Sequence, residues 1–181
     1  MTINIEQVIK GCQAFKRPAQ ETFYKHFYRY AMSICMPYAH SDFEAEEIVN
    51  DGFMKVFKGI GTYNTQMPVK GWLRKTMINA AIDHYRSQKK HYNQQDVMMI
   101  ADQDDEHTNV LDDLAVEDIM KCVQKLPQAY RAVFTLYTIE GYKHHEIADL
   151  LEINEGTSKS NLAKAKAKLR TLLSALKNDS I

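Results

Sequence analysis

Glycine and proline are scarce in this sequence, with seven Gly and four Pro among 181 residues. Sandwiches and barrels of β-strands need many turn residues, so this scarcity favours a helical chain. Apolar residues make up 45% of the chain and charged residues 25%, which is ordinary for a folded protein and argues against wholesale disorder. A chain of this length predicts one domain or two small ones.

The sequence also lacks the marks of a secreted protein, a membrane protein or a zinc protein. No apolar run approaches the roughly 18 residues that a membrane helix needs, and the first nine residues do not form a basic-then-apolar signal pattern. Cys12, Cys35 and Cys122 are far apart and form no CxxC pair. They predict buried thiols rather than a metal site or a disulfide framework. We therefore expect a cytoplasmic protein without membrane insertion, metal or cofactor.

Charge is segregated along the chain, although the formal net charge is zero. Residues 70–91 contain six Lys or Arg and one Asp, and residues 155–181 contain six Lys or Arg and two acids. Between them, residues 93–114 contain seven Asp or Glu and no Lys or Arg. Charge blocks of this kind indicate partners. Two basic segments on either side of an acidic connector predict two anchor points on one polyanion.

Apolar residues recur at helical spacing on both sides of this connector, and the caps and stops between them predict separate helices. The predicted helices span residues 21–36, 42–57, 69–91, 116 to before Pro127, 129–140, 144–151 and 155–176. The predicted fold is all-α, with two small helical domains joined by a flexible acidic linker. Residues 1–92 and 115–181 form the domains, and residues 93–114 form the linker.

A helix-turn-helix is the most specific local pattern, in residues 141–168. The short helix HHEIADLL is followed by a tight turn and a longer helix that begins EGTSKSNLAKAK. In such a unit the second helix lies in the major groove of DNA. Its face opposite the core stripe of Leu162 and Leu169 is predicted to carry Thr157, Ser158, Lys159, Ser160, Asn161, Lys164, Lys166, Lys168 and Arg170. The alternative is a solvated lysine face on a plain helical hairpin.

The helix over residues 69–91 carries a second candidate surface. Two inward stripes are predicted from Leu73, Met77, Ala81, Ile78, Ile82 and Tyr85. Another face then presents Lys75, Asn79, Asp83 and Arg86, at steps of four, four and three residues. Basic and amide groups near aromatic rings suit single-stranded nucleic acid. An ordinary solvated helix is the alternative.

The helix over residues 42–57 has an acidic face. Its segment EAEEIVNDGFMKVFK lacks the loop-borne oxygen cage of a metal site. Glu47 and Asp51 beside Val56 and Phe57 instead predict an acidic and apolar docking face for a protein, although a solvated helix start is the alternative. The chain shows no nucleophile with an adjacent base and no phosphate-binding glycine loop, so we expect no catalytic activity.

These three segments, in this order, resemble the small two-domain bacterial sigma factors of the extracytoplasmic-function group over residues 22–173. The resemblance implies that the acidic helix docks on a coiled coil of the RNA polymerase β′ subunit. It implies that the following helix reads the promoter minus-ten element and that the helix-turn-helix reads the minus-thirty-five element. The implied partners are core RNA polymerase (its β′ and β subunits), promoter DNA and an anti-sigma factor.

The resemblance also implies roles for individual residues. It implies polymerase docking for Glu47, Asp51, Val56 and Phe57. It implies contact with an exposed base for Asn79, and a base pocket for the loop 61–68, which includes Asn64. Lys75, Asp83 and Arg86 complete the predicted minus-ten face. Recognition-helix positions correspond to Lys159, Ser160, Ala163 and Lys164, beside Thr157 and Ser158. Ala163 is small where the family can carry a larger side chain, and Lys159 and Asn161 stand where arginine is common. The acidic connector resembles the family linker, which implies a path through the positively lined active-site and RNA-exit region.

Three other functions compete with this interpretation. A DNA-binding regulator with a LuxR-type helix-turn-helix explains residues 141–169 but not the two N-terminal segments. A metal-dependent nuclease built on the acidic helix predicts cleavage that requires a divalent ion, and it lacks the ligand geometry. An inactive adaptor would bind polymerase without reading DNA.

Overall fold

The structure is a computed structural model that describes residues 3–92 and 116–178, apart from side chains at the edges of these ranges. The described residues form helices and turns and contain no β-strand, which confirms the predicted all-α fold. The chain divides into two compact units, residues 1–84 and 85–181. The predicted acidic connector lies outside the described residues, and the predicted domain limits stay predictions.

The first unit contains three complete helices and most of a fourth. They are α1 (Ile5–Gln13), α2 (Arg17–Cys35), α3 (Asp42–Gly59) and α4 (Val69–Tyr92). Helix α1 is an addition to the sequence-based prediction. Pro37 lies in the 3₁₀ turn Met36–Tyr38 that ends α2, as predicted, because proline cannot continue the helical hydrogen bonds. The Ser41 hydroxyl accepts a hydrogen bond from the Glu44 main-chain N–H (3.2 Å) and so caps α3.

The first unit is built around an aromatic core. The Phe23 side chain is fully buried and meets the Phe53 ring edge-on, with 6.4 Å between the ring centroids. Such an arrangement adds an aromatic attraction to the burial of apolar surface. The same core contains Phe27, Ala31, Ile34, Ala45, Ile48, Val49, Val56, Leu73, Met77, Ala80 and Ala81, all buried. Helices α2, α3 and α4 therefore face the core with their apolar sides.

The second unit contains α5 (Val116–Gln124), α6 (Gln128–Phe134), α7 (His144–Leu151) and α8 (Glu155–Asn178). A π-helical turn, Thr135–Ile139, extends α6. Gly141 follows it with φ +76°, a left-handed conformation that suits glycine, and so ends the helix as predicted. One core cluster consists of Cys122, Val123, Leu126, Ala165, Leu169 and Leu173.

Arg131 is buried in the second unit with no exposed surface, although arginine is seldom buried. Its Nη1 donates hydrogen bonds to the carbonyl oxygens of Gln124 (2.8 Å) and Leu126 (3.4 Å). These oxygens lie where α5 ends and would otherwise lack helical partners. The guanidinium thus fastens the end of α5 to α6.

The three cysteines are free and buried, as predicted, and burial raises the pKa of the Cys35 thiol to about 12. Within residues 3–92 and 116–178, no helix is both long enough and apolar enough to cross a membrane. The same residues contain no cluster of three His, Cys, Asp or Glu that could hold a metal ion.

Candidate interfaces on helices α3, α4 and α8

Helix α3 presents the predicted acidic face only in part. Glu47 and Asp51 are exposed, as the docking prediction requires. Val56, however, has no exposed surface, so its side chain is not part of the exposed face. Val56 follows Val49 and Phe53 at steps of seven and three residues, which places it on their core-facing stripe. Phe57 is half-buried and meets the Phe23 ring edge-on at 6.1 Å.

Two exposed apolar side chains on α3 were missed by the sequence reasoning. Phe43 is 71% exposed and Met54 is 58% exposed. Phe43, Glu47 and Met54 are separated by four and seven residues, so they share one face of the helix. An acidic and apolar surface therefore exists on α3, but Phe43 and Met54 supply its apolar part. Their spacing along the sequence could have revealed this, because it places them on a different side of the helix from the buried stripe.

A largely buried ion pair, Glu44 with His84, joins α3 to α4. The Glu44 carboxylate lies 3.1 Å from His84 Nε2 on α4 and accepts the His40 main-chain N–H. Burial alone would raise the pKa of Glu44, but these hydrogen bonds outweigh it and hold the pKa at about 2. The hydrogen bond to Glu44 raises the pKa of His84 against the opposing effect of burial. The pair fixes the first turn of α3 to α4.

Helix α4 exposes three of the four residues that were predicted to face a single strand. Lys75, Asn79 and Asp83 are exposed, and all six side chains predicted to point inward are buried. Lys55 on α3 donates a hydrogen bond to the Asp83 carboxylate, which balances that negative charge. The face thus offers one ammonium group and one carboxamide to a partner. Arg86 lies on the same helix but belongs to the second unit.

The loop before α4 is exposed and locally ordered. Asn64 is exposed, and its side-chain oxygen accepts the main-chain N–H of Gln66 (2.9 Å), a turn that asparagine commonly forms. The Tyr63 ring packs against Trp72 with 4.8 Å between centroids. Asn64 therefore lies at the tip of a loop whose base is held by aromatic packing.

The helix-turn-helix in the second unit has the predicted construction. The Glu146 carboxylate accepts the Lys143 main-chain N–H (2.7 Å) at the start of α7. Glu152 adopts φ +53° at the turn. Asn154 then caps α8, since its side-chain oxygen accepts the Thr157 N–H (2.7 Å). Ala148 is buried on α7.

The outer face of α8 presents most of the predicted minus-thirty-five residues. Lys159, Ser160 and Ala163 are exposed, whereas Thr157 and Lys164 are half-buried. Lys159 forms an ion pair with Glu155 (2.8 Å) in which both side chains are at least half exposed. A surface pair of this kind stabilises little and can exchange for a phosphate.

Ser158 does not belong to that face, so its prediction as an exposed contact residue is wrong. Its side chain is fully buried, and its hydroxyl lies 2.9 Å from His144 Nδ1 on α7. Ser158, Leu162, Ala165 and Leu169 are separated by four, three and four residues, and all four are buried. Ser158 therefore begins the core stripe of α8 and joins the two helices of the motif.

Family comparisons match both units in chain order. The model of sigma-70 region 2 matches residues 23–91, and the model of sigma-70, region 4 matches residues 116–169. Helix α3, and all of α4 except its last residue, lie within the first match. The helix-turn-helix lies within the second, apart from the last turns of α8.

Individual relatives give the same result. An ECF RNA polymerase sigma factor, SigM of Mycobacterium tuberculosis, is 30% identical over 74% of this chain and 66% of its own length, just under two thirds. The RNA polymerase sigma factor SigV of Bacillus subtilis is 29% identical over 81% of this chain and 84% of its own length. A solved structure of the sigma factor RpoE with the anti-sigma factor NepR from Bartonella quintana matches in fold, with a TM-score of 0.50 and 20% identity. That match covers 85% of this chain and 98% of the solved chain.

Proposed function

Since this chain belongs to the sigma-70 family, in its extracytoplasmic-function group, we propose that it binds core RNA polymerase and directs promoter-specific initiation of transcription. The observation that carries the proposal is the presence of both family regions, in order along the chain. The role requires no catalytic residue and no cofactor in this chain. It places the protein in the cytoplasm, with polymerase and DNA.

Helix α3 is the proposed docking site for the polymerase β′ subunit. Glu47 and Asp51 supply negative charge, and Phe43 and Met54 supply apolar surface. Complementary charge speeds the encounter and orients the partner, while burial of apolar side chains holds it. Val56 contributes from within the core, where it supports the position of the helix.

Helix α4 and the loop 61–68 are the proposed readers of the minus-ten element. Asn79 offers a carboxamide that can pair with the edge of an unstacked base, and Lys75 offers a charge to the phosphates. Asn64 contributes from the loop. Unpairing a base costs a few kcal/mol, which a pocket that holds the flipped base can offset. Docking on polymerase supplies the remaining binding energy.

The outer face of α8 is the proposed reader of the minus-thirty-five duplex. Thr157, Lys159, Ser160, Ala163 and Lys164 lie on its first three turns, and the N-terminal part of a recognition helix meets base edges in the major groove. The lysines also hold phosphates without regard to sequence. Ser158 positions the helix through His144.

The acidic connector and an anti-sigma factor complete the proposed set of interactions. Seven acids without a basic residue between 93 and 114 suit a positively charged channel, so we propose that this segment threads the active-site region of polymerase, β subunit included. We also propose an anti-sigma factor as a partner, in keeping with the solved relative that is held by one. Such a protein would cover a polymerase-docking face.

Run-off transcription tests the proposed function. Purified core polymerase is supplied with genomic fragments, with and without this protein, and the transcripts are mapped. We expect discrete new start sites that depend on the protein and share two upstream elements. Tight binding of duplex DNA without polymerase, and no transcript with it, would contradict the proposal and favour a conventional regulator. Core binding without any transcript would favour the adaptor.

A further inference from the structure

We propose that Gln13 in α1 is a positioning residue for reading the minus-ten element. Its side-chain amide holds the turn from which the base-reading loop 61–68 leaves the core. This inference rests on the proposed function of that loop. The sigma-70 region 2 match begins at residue 23, after α1 has ended, so the family resemblance assigns α1 no role.

The amide of Gln13 bridges both ends of one turn. Its Nε2 lies 3.1 Å from the carbonyl oxygen of Ile60 and 3.4 Å from that of Tyr63, and it donates a hydrogen bond to each. The Tyr63 main-chain N–H also donates to the Ile60 oxygen (3.3 Å). An amide NH₂ group has two donors, and both are used on this turn. Because Ile60 is fully buried, the bridge ties Tyr63 to a fixed point.

Tyr63 transmits that position to the exposed tip of the loop. Its ring packs on Trp72, and its hydroxyl donates to the main-chain oxygen of Met67. The Met67 main-chain N–H donates in turn to the main-chain oxygen of Asn64 (3.0 Å). The tip, residues 64–67, is exposed, yet its backbone is closed on itself and anchored through Tyr63. A shift at Tyr63 would therefore move the whole tip.

Helix α1 is a firm support for this contact. Its Cys12 side chain is fully buried, and Ile9 is nearly so. Gly11 lies so close to α2 that an added Cβ would approach the Ala19 Cβ to 2.5 Å. Helix α1 also contacts the turn Ile60–Thr62 itself. Gln13 therefore projects its amide from a well-packed helix, which is what holding a binding loop in one geometry requires.

A purely structural contact would predict a different outcome. Loss of the amide removes two hydrogen bonds at a partly exposed site, which has a modest effect on folding. Loss of the amide affects DNA binding more than folding, because a loop that must become ordered on binding has a lower affinity for its ligand. The inference thus predicts a selective loss at the minus-ten element.

The test compares holoenzymes reconstituted from core polymerase and full-length variants. The variants are Gln13→Ala, Gln13→Glu and the control Gln7→Ala, which changes an exposed glutamine on the same helix. The probes are a single-stranded oligonucleotide with the non-template minus-ten sequence and a duplex with the minus-thirty-five sequence. Both sequences come from the strongest run-off promoter.

We expect Gln13→Ala to weaken binding of the single-stranded probe by about five-fold, the equivalent of one hydrogen bond. Gln13→Glu should weaken it further, because a carboxylate would face two carbonyl oxygens. The ratio of the affinities for the native probe and for a probe in which the flipped base is replaced should fall as well. Affinity for core polymerase and for the minus-thirty-five duplex should match that of Gln7→Ala.

Two results would overturn the inference alone. One is equal binding of the single-stranded probe by Gln13→Ala and Gln7→Ala, with the same base discrimination. The other is an equal loss for core, single strand and duplex, which would indicate general destabilisation. If the wild-type holoenzyme binds neither probe and makes no transcript, the proposed function fails and the inference fails with it.

Discussion

The His84 imidazole and the Glu44 carboxylate lie 3.1 Å apart and join α4 to the first turn of α3. The two helices carry different proposed tasks, since we propose that α3 contacts polymerase and that α4 contacts the opened strand. Both side chains are mostly buried, at 15% and 11% exposed. This ion pair, together with that of Lys55 and Asp83, therefore links the two helices that carry the proposed surfaces.

The stability of the first unit should depend on pH through this pair. The pKa of His84 is raised from 6.5 in the folded state, so its contribution is complete below pH 6.5 and is lost as pH rises through the raised value. The pKa of Glu44 is lowered from 4.5 to about 2, so its contribution is lost as pH falls through that interval. Both contributions are complete between pH 4.5 and 6.5.

We expect His84→Gln to lower the free energy of unfolding at pH 6 by about 1.5 kcal/mol, and by less at pH 8.5. Urea unfolding followed by the fluorescence of Trp72, the single tryptophan, reports on this unit. His26→Gln is the control, because His26 is exposed on α2. A loss in His84→Gln that is the same at both pH values would contradict the ionic role.

Reversal of charge on the docking face should weaken polymerase binding. Asp51→Arg places a positive charge where we propose that the β′ subunit meets acids, and we expect at least a ten-fold loss of affinity for core, about 1.4 kcal/mol. Glu21→Arg is the control, because it makes the same change in net charge on α2. Within the part of the chain that the structure describes, Glu21 forms one ion pair, with Lys25 at the surface. Surface plasmon resonance with immobilised core would measure both. Equal affinities would refute the docking assignment.

The apolar residues of α3 should separate into two classes. Met54→Ser is expected to weaken core binding with little change in stability, because Met54 is 58% exposed. Val56→Ala should instead leave a cavity in the hydrophobic core and lower the free energy of unfolding by about 2 kcal/mol. At a temperature where this variant is folded, its affinity for core polymerase should be unchanged. Thermal unfolding and core binding measured on both variants would decide. The reverse pattern would restore Val56 as a docking residue.

Asn79→Ala should impair promoter use without impairing docking. We expect about ten-fold less run-off transcript from the cognate promoter, since leaving a base edge without its hydrogen-bond partner costs about 1–3 kcal/mol. Core affinity should equal that of the wild type, which makes this variant the counterpart of Asp51→Arg. Loss of core binding by Asn79→Ala would count against the assignment of α4.

Neighbouring serines on α8 should behave differently. Ser160→Ala removes an exposed hydroxyl and is expected to weaken binding of the minus-thirty-five duplex by two- to five-fold, about 0.5–1 kcal/mol. Ser158→Ala removes the buried partner of His144 and should lower the free energy of unfolding of the second unit by about 1 kcal/mol. Circular dichroism and a duplex-binding assay distinguish them. Similar effects on duplex affinity without loss of stability would place Ser158 at the DNA after all.

Helical periodicity made much of the fold predictable from sequence. Stripes such as Leu73, Met77 and Ala81 require a partner surface whatever their tertiary context, so the helices and their inward faces follow from local spacing. Ser41, Asn154 and Gly141 marked helix ends because capping depends on hydrogen bonds within one turn. The missed α1 is short, and its two buried residues gave a weak signal.

The composition of the candidate surfaces was less predictable. Val56 and Phe57 were assigned together from their chemistry, but they differ by about 100° around α3 and so do not share one face. Ser158 has the chemistry of a DNA contact, yet it begins a stripe of buried residues. Phase along the helix could have separated these cases, whereas residue type alone could not.

The sequence by itself determined the helices, their order, the segregated charge and the resemblance to a family, because these depend on spacing and residue type along the chain. Only the tertiary structure decided which side chains remain exposed and which distant groups meet. Arg131 is buried although arginine is usually exposed. The ion pair of Glu44 with His84 and the hydrogen bond from Gln13 to Ile60 join residues that are far apart in sequence. Such contacts depend on how helices pack, and no local pattern encodes them.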